Sequence, residues 1–417
     1  MKPSLLLSVA ALALAAASPS AAATWDAAFA AALPPEPAAR AAVDAHPDVD
    51  TARARLDLAR AQGRELAAGP HEFTVGGYAS NRQVRNDMGY QEFGLDVSRA
   101  IRLPGKAALD RAAGTAGVKA AEDMVDDARH QTGLALSDAW YAWIEASSVL
   151  DLDRQTEESL RRDVAALQRR VELQDAAVVE LEQVQAALAV ASTRRAQSEG
   201  QYEAARLVLM RQFPNLPIPA QRPDLPPPPA LDPVASEWPQ ITVDHSHEIA
   251  IARFQAEQAE ALASRARLDR RADPTVGVRA LSEFDGREKS LGVFFSMPIG
   301  GARRSAIADA EAARATAARV NLAKIQRESR ALGEYNAANS EATRAAWRSA
   351  ASAVEASDAA ARRITRGFEL GELDLAAMLL ANRQVYDARR AEIAARTAAW
   401  RAVTHLRLDA HDLWHDD

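Results

Sequence analysis

Proline is distributed very unevenly along this 417-residue chain. There are 20 prolines, yet none lies between Pro104 and Pro214 and none follows Pro298. Proline lacks the N–H donor that a helix interior needs, and its ring clashes with the preceding turn. Two stretches of more than 100 residues are therefore free to run as continuous helix. Between them, "PNLPIPAQRPDLPPPPALDPVASEWP" from Pro214 to Pro239 reads as an extended, polyproline-like strap.

The strap separates two halves that resemble each other. "HPDVDTARARLDLARAQ" from His46 matches "HEIAIARFQAEQAEALA" from His247, an offset of 201. "GLDVSRAIRLPGKAALDRAAG" from Gly94 matches "GVFFSMPIGGARRSAIADAEA" from Gly292, an offset of 198 that falls to 196. "VELQDAAVVELEQVQAAL" from Val171 matches "FELGELDLAAMLLANRQV" from Phe368 at 197. Three blocks in one order at near-constant offset read as an internal duplication. The division is a leader over 1–23, a first repeat over 24–213, the strap over 214–239 and a second repeat over 240–417. Each repeat reads as a helix (about 44–68 and 244–271), a strand pair and a long helical hairpin. The first long stretch, Gly105 to Leu173, makes a rod of about 100 Å at 1.5 Å per residue.

Composition suits rods. The chain has 96 alanines, about 23% of its residues. Alanine is the best helix former and permits close helix approach. Two 3–4–3–4 seams stand out. One is Leu181, Val184, Leu188, Ala191, Arg195, Ser198, Tyr202, Ala205 and Leu209. The other is Ala331, Tyr335, Ala338, Ala342, Ala345, Ser349, Ser352, Ala356 and Ala359. Both are expected to face neighbouring helices, in a bundle or an oligomeric helical barrel.

The strand pairs alternate with period two. Phe73 and Val75, then Phe93, Leu95 and Val97, share an apolar face in the first half. Val276 and Val278, then Leu291, Val293 and Phe295, do so in the second. Each run has the length that crosses a bilayer when tilted. Soluble half-buried hairpins alternate in the same way, so the rods and the leader tip the reading toward a membrane. Four strands cannot close a barrel, and open edges are not tolerated in lipid. Strands that span must therefore be shared between copies.

Residues 1–23 carry Lys2, an apolar run from Leu5 to Ala17 and Ala21-Ala22-Ala23, the pattern of a cleaved secretory leader. Later windows contain no run of 18 uncharged apolar residues, so no transmembrane helix is expected. With no cysteine, disulfide frameworks, thiolate metal sites, thiol catalysis and an acylated lipoprotein N-terminus are excluded. Net charge is −7 and basic blocks are lacking, which argues against nucleic acid as a partner. Neither a nucleophile elbow nor a phosphate loop or HExxH motif occurs, so no enzymatic role and no cofactor are expected. Trp140, Tyr141 and Trp143 read as helix packing. His245, His247 and the pair His411 and His415, near Asp412 and Asp416, have ligand-like spacing. They read more simply as polar helix ends and tail.

The duplication, one strand pair per half and two turn motifs together resemble the outer-membrane efflux factors of the TolC family. The motifs are "LPGKAALDRAAG" at Leu103 to Gly114 and "FELGELDLAAMLLANRQVYDARRAE" from Phe368 to Glu392. The Pro-Gly-Lys turn is similar to the branch that exports metal cations. The resemblance implies a mainly α chain with a small membrane β-barrel. Three copies would form a trimeric α-barrel of coiled-coil helices, with four strands each in one 12-stranded barrel. The homotrimer would sit in outer-membrane lipid, reach into the periplasm of a Gram-negative cell, and join a periplasmic adaptor to an inner-membrane pump. The adaptor-facing tips would carry Val171, Glu172, Leu173 and Asp175, with Phe368, Glu369, Leu370, Gly371 and Glu372. The family's acidic constriction falls here on Ala377 and Leu380, neither of them acidic, with Glu180 and Gln183 as the first-half equivalents. Glu180, Glu182, Glu372 and Asp374 are the nearest carboxylates. The rival reading is a periplasmic coiled-coil adaptor or structural protein with no barrel.

Overall fold

The computed structural model describes residues 29–83, 85 and 89–414. The leader at 1–23, His415 and Asp416 lie outside the described residues. The chain runs α1 (Glu36–Asp44), α2 (Pro47–Ala68), β1 (Phe73–Gln83), β2 (Gly89–Ala100), α3 (Lys106–Glu172) and α4 (Val178–Gln212). It continues through α5 (Trp238–Asp244), α6 (His247–Leu268), β3 (Thr275–Glu283), β4 (Glu288–Ser296), α7 (Ala302–Glu369) and α8 (Leu375–Asp409). The two halves correspond in length. α2 and α6 have 22 residues each, α3 and α7 have 67 and 68, and α4 and α8 have 35 each.

Helix starts follow local chemistry. His46 caps α2 by accepting the Asp48 N–H, and Pro47, Asp48 and Asp50 complete its first turn. Ser246 caps α6 through the Ile249 N–H at 3.2 Å. Between the two proline-free limits α3 runs unbroken for roughly 100 Å.

The few aromatics gather at one level of these rods. Trp140, Tyr141, Trp143, Phe213 and Trp400 are buried in one cluster with Leu136, Ile144 and Leu209. Trp140 donates to Ala32 O at 2.9 Å, and Tyr141 meets the Thr404 hydroxyl at 2.9 Å, whereas the Trp143 indole N–H is buried without a partner. The three α3 aromatics are packing residues, as the sequence suggests. The strap is held from outside. Its prolines lack N–H donors, and its carbonyls accept from Arg344 (Pro228 O, 3.2 Å), Arg396 (Leu225 O, 3.0 Å) and Trp400 (Pro226 O, 2.8 Å). Trp238 opens α5 at its end.

Elsewhere alanine and glycine bring backbones together. A Cβ on Gly114 would stand 3.0 Å from Gly63 Cα, so α2 and α3 meet main chain to main chain. The α4 seam is as expected: Val184, Ala191, Ser198 and Leu209 are buried. The α7 seam stays open within one chain: Ala331, Tyr335, Ala338, Ala342 and Ala345 are exposed, while α7 buries Gly333, Ala337, Ser340 and Ala361 against its own neighbours. In a helix this rich in alanine, small residues recur at heptad spacing on several faces. The pattern therefore has no unique phase.

The four strands form one antiparallel sheet in the order β1-β2-β3-β4. The strands run further into their connecting turns than the polar sequence suggests, to Gln83 and from Gly89, and to Glu283 and from Glu288.

Candidate functional site

Register decides what the sheet's faces are. Val75, Val97, Val278 and Val293 are paired in one row across all four strands. Leu95, Ala280 and Leu291 form the next row, and Arg99, Val276 and Phe295 another with Phe73. Directly paired residues point the same way, so the ten apolar strand residues singled out from sequence lie on one face. All ten are exposed, from Val97 at 40% to Val293 at 84%. The opposite face carries Thr74, Gly76, Asp96, Ser98, Arg279, Ser290 and Gly292. Arg279 stands 3.9 Å from Asp96 there. β1 and β4 each pair on one side only. The result is an amphipathic sheet with its apolar side outward and both edges open.

An ion cluster fastens this sheet to the rods. Lys106 opens α3 almost fully buried, at 1% exposure. Its Nζ donates to Asp269 Oδ1, Asp273 Oδ1 and Arg271 O, each at 2.8 Å. Asp273 also takes the Leu103 N–H at 3.0 Å and meets His71 Nε2 at 2.8 Å. Asp110 holds Arg102 at 2.9 Å and Arg265 at 2.8 Å, and Arg265 pairs in turn with Asp269. Burial opposes ionisation of Asp273. The Lys106, His71 and Leu103 hydrogen bonds outweigh it and hold the carboxyl at about 2. Lys106 and Asp110 lie within the Leu103–Gly114 motif, but apart from Arg102 their side-chain partners, Asp269, Asp273 and Arg265, are more than 150 residues away, and sequence spacing alone does not pair them.

At the far end the two hairpin turns share one geometry. Gly371 has φ +75°, and its N–H donates to Phe368 O while Glu372 N–H reaches Gly367 O at 2.9 Å. Gln174, offset by 197, holds the same left-handed place at φ 62°. Its N–H donates to Val171 O, and Asp175 N–H to Arg170 O at 2.7 Å. Leu173 and Leu370 project at the apices, 78% and 57% exposed. Glu172, Asp175, Glu369, Gly371 and Glu372 are exposed beside them, and Val171 is half-buried. Phe368 packs inward with Leu167, Val184, Leu375 and Met378, a core that joins the two tips. Asp374 accepts the Ala377 N–H at 2.8 Å and so caps α8. Glu180 is half-buried and Glu182 exposed; Ala377 is half-buried and Leu380 exposed.

A buried link lies further along. Tyr386 on α8 donates its O–H to Asp153 Oδ1 of α3 at 2.7 Å and accepts from Arg390 at 2.9 Å. Burial and then the Asp153 charge push the phenol's pKa up, which keeps it a donor. The other Asp153 oxygen is buried without a partner. Sequence reading missed this link, since its ends are 233 residues apart.

No family model matches the sequence, and no curated protein matches it. Solved structures do. The chain superposes on CusC, which forms a transmembrane channel, with TM-score 0.76 and 15% identity over 89% of this chain and 91% of that one. It superposes on the outer-membrane protein VceC of Vibrio cholerae at 0.75 and 16% identity, covering 89% and 95%. For the CmeC outer-membrane channel of Campylobacter jejuni the values are 0.73 and 15%, over 100% and 96%. The chain has the fold of outer-membrane channels. In that channel fold the amphipathic sheet, the tips and the ion cluster occupy the two ends and the junction of one long body. Among the described residues no helix is long and apolar enough to cross a membrane.

Proposed function

We propose that this chain is the outer-membrane channel of a tripartite efflux system in a Gram-negative cell. Three copies close their sheets into one 12-stranded barrel in lipid, and their helices form a tunnel through the periplasm. The observation that carries this reading is the sheet itself. Its outer face is predominantly apolar and exposed, its inner face is mainly polar and glycine-containing with Tyr78, Leu281 and Phe294 among it, its strands are 9 to 12 residues long, and its edges are open. Such a sheet is stable in lipid only if neighbours close it. The same face disfavours a soluble periplasmic adaptor, which would expose it to water. The tips, each ending on a projecting leucine, are the surfaces offered to the adaptor, which connects the duct to an inner-membrane pump. Glu180, Glu182, Glu372 and Asp374 are the carboxylates nearest the aperture, Asp374 with one oxygen committed to its cap. The duct carries out no chemistry; its cargo, metal cations or small toxic compounds, is chosen upstream. Fractionation tests the location. The protein should pellet with outer membranes and need detergent for release, and recovery in the soluble periplasmic fraction would overturn the reading.

Opening requires α8 to move against α3, and the Tyr386–Asp153 link resists that motion. Tyr386→Phe removes the donor and leaves the Asp153 carboxylate buried with neither oxygen hydrogen-bonded to tyrosine, a loss of about 1–3 kcal/mol. Single channels of this variant in planar bilayers should show higher conductance than wild type. Unchanged conductance would mean the link plays no part in closure.

A further inference from the structure

The histidines that sequence leaves scattered converge at one place in the middle of the rods. His130 lies on α3, His247 opens α6, His245 precedes it, and His411 follows α8. The His247 and His411 rings stack with centroids 4.4 Å apart. His130 is 6.3 Å from His247 and 6.1 Å from His411, and His245 is 5.4 Å from His411. Two carboxylates join them. Ligand atoms of Asp127, His130 and Glu248 all lie within 4.8 Å of one another.

Three features distinguish this group from a solvated patch. Ion pairs are plentiful in the chain, yet among the described residues neither Asp127 nor Glu248 pairs with a lysine or arginine. Asp127 Oδ1 is buried without a hydrogen-bond partner. Two carboxylates held this close repel unless a cation lies between them. Finally, His130 is oriented from behind. Its Nε2 stands 3.1 Å from Asp409 Oδ1, and Asn336 donates to Asp409 Oδ2 at 2.8 Å. A carboxylate behind an imidazole, itself hydrogen-bonded, is how metal-binding histidines are usually fixed. With Nε2–H donated to Asp409, the lone pair is on Nδ1.

We propose that Asp127, His130 and Glu248 bind one divalent transition-metal ion of the zinc class. Ligand atoms around such an ion stand about 3.3 Å apart, for bonds of roughly 2.0–2.1 Å in tetrahedral geometry. From separations of at most 4.8 Å, the three residues need to close by no more than about 1.5 Å. One imidazole with two carboxylates favours zinc, nickel or cobalt over monovalent copper or silver, which prefer sulfur, and over magnesium, which prefers all-oxygen sites. The ligands come from α3 in the first half and α6 in the second, beside the end of α8, so the ion staples the two halves of the chain. This site does not depend on what the duct conducts.

The test is calorimetric titration of Zn2+ into untagged, chelator-stripped protein, with Mg2+ as the comparison. One Zn2+ per chain should bind, and Mg2+ should not displace it. Asp127→Asn, Glu248→Gln and His130→Gln should each weaken binding at least tenfold. Zn2+ should raise the melting temperature of wild type but not of the Asp127→Asn/Glu248→Gln pair. The metal-free melting and circular dichroism of each variant check its folding; should the pair fail to fold, the His130→Gln titration decides. His405→Gln, whose ring pairs with Asp138 away from the cluster, serves as the control and should bind as wild type does. Absence of stoichiometric binding, or binding that survives all three ligand variants, would overturn the site. So would binding lost on His415→Gln instead, since that would place the ion on the tail.

Discussion

Replacing Val293 by arginine should strip the protein from the outer membrane. Val293 stands near the middle of β4, in the row with Val75, Val97 and Val278, and it is the most exposed of the ten apolar strand residues. On the lipid face of a barrel an arginine near the bilayer midplane costs about 2–4 kcal/mol. Three copies would carry it, so one assembled barrel loses about 6–12 kcal/mol by the same measure. Ser290→Arg lies three residues away on the polar face and should be tolerated. Fractionation and immunoblotting compare the two. Equal membrane levels for both variants would mean that the two faces of the sheet are not lipid and lumen.

Lys106→Met should be the most damaging change at the junction. It leaves Asp273 with His71 and a backbone N–H, and Asp269 with Arg265 alone. Removing one partner from a buried ionic group costs about 3–5 kcal/mol, mostly from the charge left behind. Adding Asp273→Asn to Lys106→Met should restore part of the loss, a coupling that a double-mutant cycle measures. The same cluster fixes a pH dependence. Asp273 is held at about 2 when folded, against an ordinary value near ~3.9 when unfolded. Its ionised form therefore stabilises the fold fully above about pH 4, and that contribution disappears as pH falls toward 2. Thermal unfolding of wild type should weaken across this window, and Lys106→Met should show a shallower slope. Parallel slopes would remove Asp273 from the account.

What was legible from sequence depended on whether a pattern had one phase. Strand alternation has only two, and one is plainly apolar, so Phe73, Val75, Phe93, Leu95, Val97, Val276, Val278, Leu291, Val293 and Phe295 fell on a single face as read. The prolines mark the starts of α3 and α7 and the end of α4 closely, because Pro104, Pro298 and Pro214 flank them. The offset of 197 placed Gln174 on Gly371 before either turn was seen. The α7 seam has no such single phase, because alanine marks several faces of that helix equally, and within one chain it lies exposed. Phe368, grouped with the tip residues, packs partly buried against the tip core, since an aromatic at a tight turn finds more contact there than in solvent. The ion cluster, the Tyr386–Asp153 link and the histidine group join distant parts of the chain: Lys106 to Arg271 at 165 positions, Tyr386 to Asp153 at 233 and His130 to Asp409 at 279. A single sequence records such residues but not their meeting. Lys106 within the turn motif and the close spacing of His245 and His247 and of His411 and His415 were the hints sequence offered.

The central claim is that three chains close one barrel, and the lack of native cysteine makes it directly testable. Val75→Cys on β1 is combined in turn with Leu291→Cys, Val293→Cys and Phe295→Cys on β4, and disulfides are formed by mild oxidation. Within one chain these edges are three strand spacings apart, about 14 Å, too far for a disulfide, which needs Cα atoms within about 7 Å. Only neighbouring copies can therefore link. The account predicts that at least one pair gives covalent dimers and trimers, with the trimer as the largest species. Monomer alone for every pair, or a ladder that continues past the trimer, would contradict it.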